Sequence, residues 1–260
     1  MNLDYDKMPG HWLLASLGKT VLRPGGIQLT RYMLDELNIK ETDTVVEFAP
    51  GLGVTARITL QHNPHYIAIE QDEQAAEKVQ KYLHNTEKQK VIIGTAEQTT
   101  LPDQCANIVY GEAMLTMQSP KQKQQIISEA KRILKIGGFY AIHEMSLTED
   151  VVTDGIRDDL RKDLVEAIRV NALPLLIEEW KQELEKQGFE VLKVKTVPMH
   201  LLHPKRLIED EGVIGVLRIV KNVATKPKAR KRVLKIRKAF LKYESYLRGT
   251  CLIAQLKDPS

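Results

Sequence analysis

Short apolar runs recur along the first two thirds of the chain, and between them apolar residues return every three or four positions. The runs lie at 44–48 (TVVEF), 66–70 (YIAIE), 91–93 (VII), 106–112 (ANIVYGE) and 138–144 (GFYAIHE). Segments this short and this rich in Val, Ile and Tyr read as buried strands, and the spaced segments between them as amphipathic helices. Strict strand and helix alternation over 45–143 predicts parallel pairing with helices on both faces of one sheet. Two later runs, 189–197 and 249–256, supply closing strands, for seven strands in all.

The remaining pattern predicts additions to that sheet. Residues 1–40 read as a helical cap: an apolar segment at 11–17, a turn at 22–26 (LRPGG), and an amphipathic helix through Leu29, Met33 and Leu37. Residues 41–260 then form the main α/β domain. A charged helical insertion over about 149–171 follows the fifth strand, and a second over about 199–247 follows the sixth. Between them, 173–187 reads as a helix stopped by Gly188, a residue favoured just past a helix C-terminus.

Candidate chemistry starts at the end of the first strand, in EFAPGLG at 47–53. Gly51, Gly53 and Ala56 satisfy the spacing of a dinucleotide-binding turn, in which glycines admit a pyrophosphate to a helix N-terminus. Glu47 argues against a pyrophosphate there, because its charge repels phosphate and suits a cationic amine. Glu70, at the end of the second strand, suits the vicinal hydroxyls of a ribose. A ligand with an ammonium group, a ribose and no phosphate is S-adenosylmethionine.

With these residues in order, the chain resembles the class I S-adenosylmethionine-dependent methyltransferases. EFAPGLG at 47–53 is similar to the family's acidic glycine loop, Glu70 to its ribose acid, and GTAE at 94–97 to the segment flanking adenine. ANIVYGEA at 106–113 resembles the fourth strand and the loop beneath the transferable methyl, and 126–140 the helix, glycine turn and fifth strand. The resemblance spans 44–144 and a helix and strand at 180–191. It implies a Rossmann-like fold and cofactor contacts from Glu47, Ala49, Gly51, Gly53, Glu70, Gln71, Ala96, Glu97 and Gly111. Arg23, in the turn before the first strand, would pair with the cofactor carboxylate or with an anionic substrate. Glu112, His143 and Glu144 stand where a general base would be needed. Within the family the chain is most similar to small-molecule enzymes like the quinone-biosynthesis C-methyltransferases, which implies a small-molecule acceptor.

Composition changes this picture little. The 260 residues are 43% hydrophobic and 28% charged, ordinary for a globular protein. No run of about 18 apolar residues suggests a membrane span, and the N-terminus lacks a secretory pattern. With only Cys105 and Cys251, both expected as reduced core thiols, a cytoplasmic protein is the expectation. Absent motifs narrow the reading further. The N/D-P-P-Y/F sequence of exocyclic-amine methyltransferases is replaced by YGEA at 110–113, and no Tyr-x-x-x-Lys dehydrogenase pair occurs. His62 with His65, and His200 with His203, have metal-pair spacing but no ligand-rich companion, so no metal site is expected.

Charge is the exception. Residues 213–243 contain no Asp or Glu and eleven Lys or Arg, while the whole chain is +4, so everything outside this segment carries a net −7. Val233, Ile236, Phe240 and Tyr243 recur at helical spacing, which lets the segment bury one face and show a basic one. Such a face fits nucleic-acid phosphates, anionic lipid headgroups, an anionic substrate or no partner beyond the acidic body. RNA methylation through this segment, or cofactor binding without turnover, are the alternatives to small-molecule methyl transfer.

Overall fold

The computed structural model describes residues 4–151 and 154–258, so parts of the cap and of the first insertion (1–3, 152 and 153) lie outside the described residues. Its centre is β1 (Thr44–Phe48), a strand buried on both faces. On either side lie β2 (His65–Glu70) and β4 (Ala106–Glu112), both parallel to it, with β3 (Gln89–Ile93) beyond β2. The fourteen-residue β5 (Leu134–Leu147) pairs parallel with β4, and its far edge takes β8 (Leu247–Leu256) antiparallel. The order is β3-β2-β1-β4-β5-β8-β7, with β7 (Phe189–Pro198) antiparallel to β8 and a two-residue β6 (Leu175–Leu176) on the end of β5. The seven expected strands are all present. The extra one arises where the helix expected over 173–187 starts late, as α7 (Ile177–Glu185), because Leu175 and Leu176 add to β5.

Local signals place the helices. The N-cap Gly25 of α2 (Gly26–Leu37) has φ of +74°, a left-handed conformation that glycine adopts without steric cost. Gly53, at φ +72°, caps α3 (Val54–Thr59). Asp72 caps α4 (Glu73–Gln80) by accepting from Ala75 N, and Ser119 and Gln122 form a capping box before Pro120 of α5 (Pro120–Ile133). These caps satisfy amides that a helix start otherwise leaves open.

The sheet separates two cores. Val46, Phe48, Val109 and Ile142 face α5 and α7, with Trp180 and Ile126 buried against them. Val45, Tyr66, Ile108 and Ala141 face the other way, onto Leu29, Met33 and Leu37 of α2. A third cluster forms where the cap helix α1 (Gly10–Ser16), α6 (Asp154–Ile168) and α9 (Pro227–Lys242) meet. Leu13, Leu17, Leu160, Leu164, Ile236, Phe240 and Tyr243 are among its buried members. The helical spacing of Ile236, Phe240 and Tyr243 thus marks a buried face, as the sequence pattern predicts.

The basic segment divides into α8 (Pro204–Thr225), kinked at Gly212, and α9, started by Pro227. Three of its eleven cations are committed internally. Arg232 is buried and donates to the carbonyls of Tyr5, Asp6, Met8 and Ala167, while Lys235 pairs with Glu166 and Lys242 with Asp163. Among the described residues, the other eight pair with no carboxylate.

Candidate active site

A cavity of about 320 Å³ opens at the carboxyl ends of β1, β2, β4 and β5, the edge where open α/β sheets bind ligands. Its first wall is acidic and glycine-lined. Glu47, only 3% exposed, sits on β1 facing the same side as Tyr66 and Tyr110 from the two flanking strands. Both phenols donate to its Oε2, at 2.5 and 2.9 Å. Burial pushes the Glu47 carboxyl up to about 7, against the pull of the two phenols. Burial and the neighbouring Glu47 likewise push both phenols up, which keeps them protonated as donors.

Glu70 ties two loops together. Its Oε2 accepts from Gly51 N at 2.9 Å and its Oε1 from Asp72 N at 3.0 Å. Each carboxylate oxygen keeps a second lone pair for a ligand hydroxyl. Gly53 N donates to Pro50 O, so both glycine amides are spent inside the loop. What the glycines contribute is shape: a Cβ on Gly53 would lie 2.8 Å from the Tyr82 ring, and Ala49 and Gly51 also adopt positive φ.

The second wall is a strap, residues 17–26, held over the sheet by a buried polar network. Glu112 is its hub. Oε1 accepts from Thr30 Oγ1 at 2.6 Å and lies 2.7 Å from His143 Nδ1, and Oε2 accepts from Arg23 and Thr55. Burial alone would raise the Glu112 carboxyl, but the Arg23 guanidinium and His143 hold it well below the usual carboxylate range. His143 is fully buried, and its Nε2 contacts the carbonyl of Pro24. Both ring nitrogens thus face an oxygen, Glu112 Oε1 on one side and the Pro24 carbonyl on the other.

Glu144, the next residue on β5, points to the opposite face, as strand alternation dictates. It accepts from the amides of Met114, Leu115 and Thr116 at 2.8, 2.8 and 3.0 Å and from Thr116 Oγ1 at 2.7 Å, fixing the loop after β4. Burial raises its carboxyl above the ordinary value despite these donors.

The far wall is apolar. Met114, Met117, Met145, Met199, Ile236 and Phe240 meet there, with His11 and Trp12 from α1 at one side. Burial lowers the His11 pKa, so a neutral imidazole faces the cavity.

The structure therefore gathers Glu47, Ala49, Gly51, Glu70, Gln71, Glu112, Glu144 and Arg23 around one cavity. Gly53 and Gly111 support it from behind, Gly111 packing against Met114 so closely that a Cβ would lie 2.9 Å from its Sδ. His143 lies under the strap, off the cavity surface. Ala96 and Glu97 are also not on its wall: Ala96 packs in the core, and Glu97 lies on a separate surface groove, 3.4 Å from Gln122 Nε2. Sequence reasoning did not find Thr30, Thr55, Tyr66 or Tyr110. The tyrosines left a trace, as polar-tipped residues in the apolar strands on either side of Glu47. Away from the cavity floor, Glu244 comes within 3.1 Å of His200 and 2.8 Å of His203. The histidine pair thus has a carboxylate companion that is 41 residues away in the chain.

Comparison with known proteins agrees with this geometry. A family profile described as a methyltransferase domain matches residues 46–142. An uncharacterized protein of Haemophilus influenzae is 35% identical over 236 residues, covering 89% of this chain and 91% of that one. Among solved structures, the MccD protein superposes with a TM-score of 0.73 at 20% identity, covering 90% of this chain and 99% of that one. The cyclopropane synthase MmaA2 of Mycobacterium tuberculosis gives 0.69 at 16% identity, covering 88% and 83%. Geranyl diphosphate C-methyltransferase of Streptomyces coelicolor, solved with S-adenosyl-L-homocysteine, gives 0.65 at 13% identity, covering 88% and 77%. Residues 46–142 thus carry a methyltransferase domain, and the fold is that of the class I S-adenosylmethionine-dependent methyltransferases. The chain belongs to one family with the Haemophilus influenzae protein, whose length it nearly matches.

Proposed function

We propose that this protein transfers the methyl group of S-adenosylmethionine to a small, largely apolar acceptor. The observation that carries the reading is the division of one cavity into an acidic, glycine-lined end and a methionine-rich apolar end. Glu47 and Glu70 suit an ammonium group and a ribose at the first end, and the loop from Ala49 to Gly53 lets the backbone come close. When bound, the cofactor supplies an already activated methyl on a sulfonium, so the chain's task is alignment and exclusion of water. The apolar wall and the strap serve those two needs.

Glu112, His143 and Glu144 then act as positioning residues. Every acceptor oxygen of Glu112 and Glu144 already has donors, and His143 is sealed beneath Pro24. If the acceptor must lose a proton, the neutral imidazole of His11 is the group on the wall able to take it.

The test is methylation of a cell extract with isotopically labelled cofactor, followed by partition into organic, aqueous and RNA fractions. Label in the organic fraction supports the reading, whereas label confined to RNA rejects it. Calorimetric titration with S-adenosylhomocysteine and, separately, NAD checks the cofactor: binding of NAD alone would overturn the assignment of the acidic end.

A further inference from the structure

The outward face of α8 beyond its Gly212 kink is apolar and uncovered. Val213, Ile214, Leu217 and Val220 are 63%, 76%, 64% and 57% exposed. They recur at i, i+1, i+4 and i+7, which puts them on one side of the helix. The opposite side docks the helix: Val223 packs in the third core and Asn222 Nδ2 donates to Leu17 O at 2.9 Å. The stripe is therefore not a misplaced core face, because the helix already has one. Four large apolar side chains exposed this far and adjacent to one another mark an interaction site.

What surrounds the stripe identifies its occupant. Arg218 and Lys221 sit on the same half of α8, Lys226 lies at the junction, and Lys228, Arg230, Lys231, Arg237 and Lys238 follow on α9. No acidic residue occurs from 213 to 243. The nearest carboxylates upstream, Asp210 and Glu211, turn inward to Lys19 and the strap. An apolar ridge flanked only by cations matches a bilayer with anionic headgroups, where the ridge enters the acyl boundary and the cations meet phosphate. A second copy of the chain would bring two basic faces together. Nucleic acid would satisfy the cations but leave the ridge against sugar and phosphate.

We propose that α8 after Gly212, with the basic surface of α9, docks this protein onto an anionic lipid surface. Docking needs neither cofactor nor turnover, so it stands apart from the assignment of the acceptor.

The experiment is co-sedimentation of the full-length protein with vesicles of phosphatidylcholine alone, or with about one third phosphatidylglycerol, at low and at 0.5 M salt. Two variants accompany it, Ile214→Gln with Leu217→Gln, and Arg218→Gln with Lys221→Gln. All four positions are exposed, and Gln maintains the helix. Far-UV circular dichroism and S-adenosylhomocysteine binding should match the native chain in both variants.

Native protein should bind the anionic vesicles at least tenfold more tightly than the neutral ones, and high salt should release it. Loss of the two apolar residues should weaken binding by tenfold or more, and loss of the two charges by about tenfold. Equal binding to both vesicle types, or none, overturns the proposal. So does a concentration-dependent dimer that the apolar variant abolishes, which would make a second copy the occupant. RNA binding unaffected by the apolar variant, without vesicle binding, would assign the surface to nucleic acid. Failure of the methylation test would leave the vesicle result unchanged.

Discussion

Glu47 has its carboxyl pushed up to about 7 by burial, while its ordinary value is 4.5. In the empty protein, stability therefore falls as pH rises from about 4.5 to about 7, since the unfolded carboxyl ionises first. A ligand ammonium beside it favours the ionised form, so cofactor affinity should rise with pH up to about 7 and then level off. Titration calorimetry near pH 6.5, in buffers of different ionisation heat, should show proton release on binding. Glu47→Gln should abolish that release. Glu70 acts through shape and charge together. Glu70→Ala removes the charged acceptor of Gly51 N and, under the proposed function, that of the ribose; it should weaken S-adenosylhomocysteine binding by about ten- to a hundredfold, on the scale of about 1.5–3 kcal/mol for a hydrogen bond to a charged group. Unchanged affinity would mean that the ribose is held elsewhere.

These two acids were legible in the sequence because each ends an apolar strand, where a charge has little reason to be unless a ligand needs it. The partners of Glu47 were not, since Tyr66 and Tyr110 reach it only through the register of three parallel strands. Ala96 and Glu97 illustrate the converse. Their place after the third strand is right for the fold, yet backbone position alone does not turn a side chain toward the cavity.

At the scale of elements, the strap depends on a helix from the far end of the chain. Glu211 accepts from the amides of Thr20 and Val21 at 2.8 and 2.9 Å and from Thr20 Oγ1 at 2.7 Å, and Asp210 accepts from Ile27 N at 3.0 Å. Lys19 is enclosed between both carboxylates. Glu211→Ala would leave Lys19 paired with Asp210 but strip the acceptor from the Thr20 and Val21 amides, and so should cost about 1–3 kcal/mol in urea unfolding. Hydrogen exchange should rise first over residues 19–27, and cofactor affinity should drop with it. Strands and helices were readable because period and caps are local properties. This latch spans about 190 residues, so no local pattern around Asp210 and Glu211 announces it.

Across the whole molecule, the segment with eleven cations plays two roles that composition merges. Arg232 joins the N-terminal stretch, α6 and α9 through four carbonyls. Arg232→Gln should therefore cost about 2–4 kcal/mol and lower the melting temperature by several degrees. Arg230→Gln and Lys231→Gln, on the exposed side, should each stay within about 0.5 kcal/mol. Equal losses at all three positions would show that Arg232 carries no such load.

The contact between the strap and β8 bears on how the protein is made. A Cβ on Gly249 would lie 2.6 Å from the Gly25 nitrogen and 2.7 Å from the Pro24 carbonyl carbon, so the two backbones touch. During synthesis, residues 17–26 emerge more than 200 residues before the strand they rest on. A chain released before β8 has been added has no seat for its strap and no closed site. Ribosome-stalled fragments ending before residue 247 should accordingly bind no S-adenosylhomocysteine, and catalytic competence would arrive only with the last strand.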